Sequence, residues 1–212
     1  MKLLTRLSIF LIIGLVSCNP TTIRQVKIEK KVSKAENTKQ DGLIADNSQS
    51  NETESECIRG EAHPIIKKEI YPHSTFAMQP DSLTAFEYLT FENKDKLIIH
   101  NYGCEYYILT FRFETSRFLE DIKNIPFWFR KSATLMSEIN DGIDTPFDIK
   151  KGLVKLNQYI DKDSSNDYKN LKFGEQIDFG DEDIRSFVTV DKIEKLTDKK
   201  YAVEISFALG PL

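Results

Sequence analysis

The stretch TAFEYLTFENKDKLIIHNYGCEYYILTFRFET, residues 84–115, decides the fold. Its last third alternates: Tyr107, Leu109, Phe111 and Phe113 form a wholly apolar series, interleaved with Tyr106, Ile108, Thr110 and Arg112. A period of two with one apolar face marks a half-buried strand, because successive side chains of a strand point to opposite faces. Upstream, residues 85–91 and 96–101 read as two more strands joined by the turn Glu92-Asn93-Lys94-Asp95. Tyr102-Gly103 then leads into the third strand at 105–114. Three consecutive strands with short turns make an antiparallel meander.

C-terminal to the meander the period changes from two to that of a helix. Over residues 127–140, the positions Trp128, Phe129, Ser132, Ala133, Leu135, Met136 and Ile139 fall on one stripe, with Gly142 as the stop. A second helix is signalled by Thr145 as cap, Pro146 in the first turn and Asp148 completing a Thr-x-x-Asp pattern. Ile149, Leu153, Leu156 and Ile160 recur on its buried face, and Gly152 inside it calls for a local reason, since glycine there costs about 1 kcal/mol against alanine. Strands resume at 184–193. The last one sets Tyr201, Val203, Ile205, Phe207 and Leu209 against Ala202, Glu204, Ser206 and Ala208, with a turn at 196–199 and a short edge strand near 176–179. Strands, then helices, then strands predict an α+β domain. Its sheet is antiparallel or mixed, built from the three-strand meander and the C-terminal hairpin, with two helices packed on one face.

The N-terminus has another character. Lys2 and Arg6 precede an apolar run from Leu7 to Val16. That run is about ten residues, half of the ~20 a spanning helix needs, so it reads as a signal peptide. It ends in Leu15-Val16-Ser17-Cys18, which resembles the lipobox of bacterial lipoproteins. The resemblance covers about twenty residues and implies cleavage before Cys18 and lipid on its thiol. It implies nothing about the rest of the chain. Position 19 is Asn where an Asp would signal inner-membrane retention, and no acidic run follows Cys18. The expected location is therefore the cell envelope, at the periplasmic face of an outer membrane.

Residues 19–56 are rich in Lys, Glu, Asn, Ser, Thr and Gln, without an aromatic residue. Such a segment cannot bury enough surface to offset its conformational entropy and is expected to be a disordered tether, with a short helix over 23–32 as the alternative. The expected organisation is thus a signal peptide at 1–17, the lipidated cysteine and tether at 18–56, and one globular domain at 57–212. In an exported chain the remaining cysteines, Cys57 and Cys104, are expected to form a disulfide, whose loop of nearly fifty residues stabilises by about 4 kcal/mol.

Chemistry is sparse. There is no Gly-x-Ser-x-Gly elbow and no paired-histidine motif, and His63, His73 and His100 read as surface or packing residues. Asp161-x-Asp163-x-Ser165-x-Asp167 begins like a calcium loop. It fails where Asn166 replaces the required glycine and Lys172 the bidentate glutamate. No metal or cofactor is expected. The aromatic cluster Phe127-Trp128-Phe129 is expected in the core, and Tyr106 and Trp128 are the candidates for an exposed binding surface. A net charge of −4 without a basic face argues against nucleic acid. The expectation is a non-catalytic envelope module that touches the membrane through its lipid and binds an envelope protein or a glycan. A hydrolase of cell-wall glycan or peptide, using acids such as Asp141, Asp144 or Glu175 with a histidine, is the alternative, and a passive sugar-binding or structural module is a further one.

Overall fold

The structure, a computed structural model, describes residues 57–181 and 184–211. The segments expected to be a signal peptide and a tether, with Cys18, lie outside the described residues. The domain is α+β and mostly sheet. Seven strands, β1 (Thr75–Met78), β2 (Ala85–Thr90), β3 (Lys96–Tyr102), β4 (Tyr107–Thr115), β5 (Ile177–Asp178), β6 (Ser186–Thr197) and β7 (Lys200–Leu209), run antiparallel in the order β1-β2-β3-β4-β7-β6-β5. Two α-helices, α1 (Ile125–Ile139) and α2 (Ile149–Ser164), intervene between β4 and β5. The chain thus leaves the meander at β4, makes both helices, and returns so that β7 pairs with β4 along nine residues, from Tyr107 opposite Leu209 to Thr115 opposite Tyr201.

The alternation read from the sequence sets the inner face. Leu109, Phe111 and Phe113 of β4 and Val203, Ile205 and Phe207 of β7 are buried, and Ile99 and Val190 continue the row through Phe111 and Ile205 onto β3 and β6. These residues share one core with Trp128, Phe129, Leu135, Met136 and Ile139 of α1 and with Leu153, Leu156 and Ile160 of α2. None of the described helices is long and apolar enough to cross a membrane.

Several boundaries differ from the sequence reading. α1 starts at Ile125, two residues early, because the Asn124 side chain accepts from the Phe127 N–H and Pro126 fits the first turn, where its missing N–H costs nothing. α2 starts late, at Ile149. Asp148 is its cap, accepting from the Lys151 N–H, while the Thr145 hydroxyl donates to the Phe147 carbonyl outside the helix. Leaving Pro146 and Phe147 non-helical lets the Phe147 ring stack on Phe207 at 6.0 Å. Gly142 does not end α1 but is the buried residue of a 3₁₀ turn over Asn140–Gly142. β1 is an addition the sequence did not signal, lying between Pro72 and Pro80 with mostly exposed residues. β4 begins at Tyr107, which leaves Tyr106 in the preceding turn. β6 runs on to Thr197, with an extra residue, Asp191, bulged between Val190 and Lys192.

The local reason for Gly152 is a close approach. A Cβ there would lie 2.7 Å from Phe207 Cε1 and 3.0 Å from Phe179 Cε1. Glycine is what allows α2 to rest on those two rings.

Candidate binding groove

Cys57 and Cys104 are joined by a disulfide with Cα atoms 5.2 Å apart, within the span such bonds require. It fastens the segment leading into the domain to the β3–β4 turn. Around that end of the sheet lie two adjoining cavities of about 490 and 470 Å³ that share Pro146 and Leu209. Four remote segments build them: the lead-in around Arg59–Ile65, the start of β4 at Tyr107, the α1–α2 connection at 144–148, and the end of β7 at Leu209. The second cavity continues past Phe147 and Phe179 to Ile184.

A tied polar network forms part of the lining. Arg59 donates from Nη1 to the Gly103 carbonyl at 2.9 Å and from Nη2 to Asn101 Oδ1 at 2.7 Å, and its guanidinium lies 4.8 Å above the centre of the Tyr107 ring. Its Nε has no hydrogen-bond partner among the described residues. Asn101 Nδ2 donates to the Tyr107 hydroxyl at 3.3 Å. Burial draws the Arg59 guanidinium below its ordinary value and pushes the Tyr107 phenol up, the latter opposed by the charge of Arg59. Glu87 is buried beneath and accepts from the backbone N–H groups of Ile65 at 2.7 Å and Ile66 at 3.1 Å. Burial raises its carboxyl, and those two bonds work against the rise. This network holds the lead-in down as one wall of the groove.

The rim is charged. Glu61, His63, Asp144 and Asp148 are exposed around the opening. Of the two cations in the lining, Lys151 pairs with Asp181 at 2.6 Å and Arg59 bonds the neutral acceptors of Gly103 and Asn101. Beside the groove, Lys150 pairs with Asp141 at 3.3 Å and Lys67 donates to the Asp141 carbonyl. Among the described residues Glu61, Asp144 and Asp148 have no ion-pair partner.

The candidates read from the sequence fare differently. Trp128 is not a surface residue. It is fully buried, its Nε1 donates to the Asp121 carbonyl at 2.9 Å, and its ring packs 4.9 Å from Tyr201. A helix opening with Phe-Trp-Phe at the end of a sheet has no way to keep the largest ring in water. Tyr106 is half-buried in the β3–β4 turn, with its ring edge-on to Phe187 at 6.3 Å, and it lines neither cavity. The three histidines do not converge, and no group of three or more His, Cys, Asp or Glu able to hold a metal occurs among the described residues. His100 is stacked between Phe86 at 4.4 Å and Tyr102 at 4.3 Å, and burial lowers its pKa. The Asp163 carboxylate is taken by Asn170 and the Leu171 N–H, so it locks the loop after α2.

One further site on the sheet was not legible. Asp191, the unpaired residue of the bulge, lies on the face opposite the core, where Ser206 donates to it at 2.6 Å and Thr110 bonds Ser206 at 2.7 Å. Burial pushes the Asp191 carboxyl up to about 6, against the pull of the Ser206 bond.

No protein-family model, curated protein or solved structure matches this chain. Its function has to be argued from its own chemistry.

Proposed function

We propose that the chain is a lipid-anchored lipoprotein of the bacterial cell envelope whose head is a binding module. The signal peptide and the lipobox ending in Cys18 give the address, Asn19 favours the periplasmic face of the outer membrane, and residues 18–56 act as the tether. In this reading the meander and the C-terminal hairpin carry both helices on one face of the sheet. The head binds through the end at which the tether enters.

The observation that carries the reading is the groove itself. Its cavities fall in the range of ligand sites, its floor is apolar, and the disulfide and the Arg59 and Glu87 networks hold its wall in place. A site held in shape before binding loses little entropy when a partner arrives. The test is capture from detergent-solubilised envelope by the full-length lipidated protein, comparing wild type with Pro146→Arg. Pro146 is exposed and lines both cavities, so an arginine there adds bulk and charge to the lining without replacing a core residue. A saturable partner held by wild type and lost by Pro146→Arg is the expected result. Cys18→Ala should release the protein from the membrane fraction. Membrane retention unchanged in that variant, together with no saturable partner, overturns the reading.

A hydrolase is the second reading, because His63, Glu61 and Asp144 line one cavity. Its mark would be turnover of a cell-wall peptide or glycan that is abolished by both His63→Ala and Asp144→Asn.

A further inference from the structure

Resting on that reading of the groove, we propose that its ligand is an extended segment of a partner protein carrying an apolar side chain flanked by Lys or Arg. Three features select this chemistry. The first is extent: two cavities lie side by side and share Pro146 and Leu209, which suits a run of several residues better than a single compact molecule. The second is the floor. Ile65, Pro64, Pro146 and Leu209 offer aliphatic surface, and one face of the Tyr107 ring is already covered by Arg59, which removes that face as a stacking platform for a sugar. A leucine or phenylalanine side chain seated there removes apolar surface from water, which favours binding.

The third feature is charge. Four acids line the two cavities, Glu61, Asp144, Asp148 and Asp181, against two bases, Arg59 and Lys151, so the lining carries a formal net charge of −2. The groove therefore repels a carboxylate or phosphate and attracts an ammonium or guanidinium. Rim charges of this kind steer association and set specificity more than they add affinity. The apolar anchor supplies affinity, and the flanking cations choose the partner.

The probes are synthetic peptides of about eight residues with a central Leu-Phe pair, flanked by lysines, glutamates or serines, and labelled for fluorescence anisotropy. They are titrated into the full-length chain with its disulfide intact. The lysine-flanked peptide should bind the wild type on the order of tenfold more tightly than the serine-flanked one, and the glutamate-flanked peptide most weakly. The preference should collapse as salt screens the exposed rim.

Replacing two exposed acids together, Glu61→Lys with Asp144→Lys, should invert the order so that the glutamate-flanked peptide binds best. Loss of folding cannot produce that inversion. Equal binding of the three peptides, or an order unmoved by the double reversal, overturns the proposal. If the peptides fail while an envelope protein or glycan is captured and then lost with Pro146→Arg, the ligand class is wrong and the groove stands as a binding site. If capture fails as well, both fall.

Discussion

Substituting Asp191 by asparagine isolates the one carboxyl whose value is pushed up to about 6. The side chain sits on the bulge of β6, facing the hydroxyl row Ser206–Thr110, with Glu204 nearby raising its value further and Lys192 lowering it. An unfolded aspartate titrates near 3.8, so the folded state holds the proton more tightly. The folded value is the higher one. The resulting stabilisation is therefore complete below pH 3.8 and is lost as pH rises through about 6. The full difference is worth about 3 kcal/mol, and about 2 of that falls between roughly pH 4.5 and pH 8. Asparagine keeps an oxygen for the Ser206 hydroxyl and carries no charge to desolvate. The variant should therefore gain about 2 kcal/mol relative to wild type between those two pH values. Urea denaturation followed by the emission of buried Trp128 measures both proteins in the same buffers. Contributions from carboxyls remote from the bulge cancel in the difference. A wild-type-minus-variant stability that stays flat across this range refutes the assignment of Asp191 as a carboxyl whose charge is costly in the fold.

Other expectations follow from the packing. Gly152→Ala should destabilise by about 1–3 kcal/mol in a melting experiment despite alanine's better helix propensity, because the new Cβ meets the Phe207 and Phe179 rings; a stabilised variant contradicts the close approach. Glu87→Ala strips the acceptors from two buried N–H groups and should cost about 2–4 kcal/mol, with Glu87→Gln milder because one oxygen remains; urea titration separates the two. Cys104→Ser should lower stability by about 4 kcal/mol in the chain-entropy model, and reducing agent should then have no further effect on melting of the head. Trp128 emission should be blue-shifted in the folded state and unmoved by added glycans, since the indole is fully buried; a glycan-dependent shift would put that ring in contact with solvent.

Much of the architecture was written in local periodicity. The alternation of Leu109, Phe111 and Phe113 and of Val203, Ile205 and Phe207 chose which side chains are buried, since a strand offers only two faces. The stripe through Trp128, Phe129, Leu135 and Met136 did the same for α1, and the lone pair of cysteines left beyond position 18 named its own disulfide. Glu87 shows where such reading stops. The two N–H groups that make its carboxylate tolerable in the core come from residues more than twenty positions away.

What the sequence by itself determined was the class of the domain, its core series and its cysteine pair, because each depends on spacing along the chain or on a count. Only the tertiary structure decided that β7 pairs with β4 and that Asp191 sits unpaired in a bulge beside Ser206. The groove belongs to that second group. Arg59, Tyr107, Pro146 and Leu209 lie on segments far apart in the chain, and none carries a local signal of its neighbours. Edge pairing and loop docking are settled by which surfaces fit when the whole core closes, and periodicity, being a property of neighbours in sequence, cannot encode it.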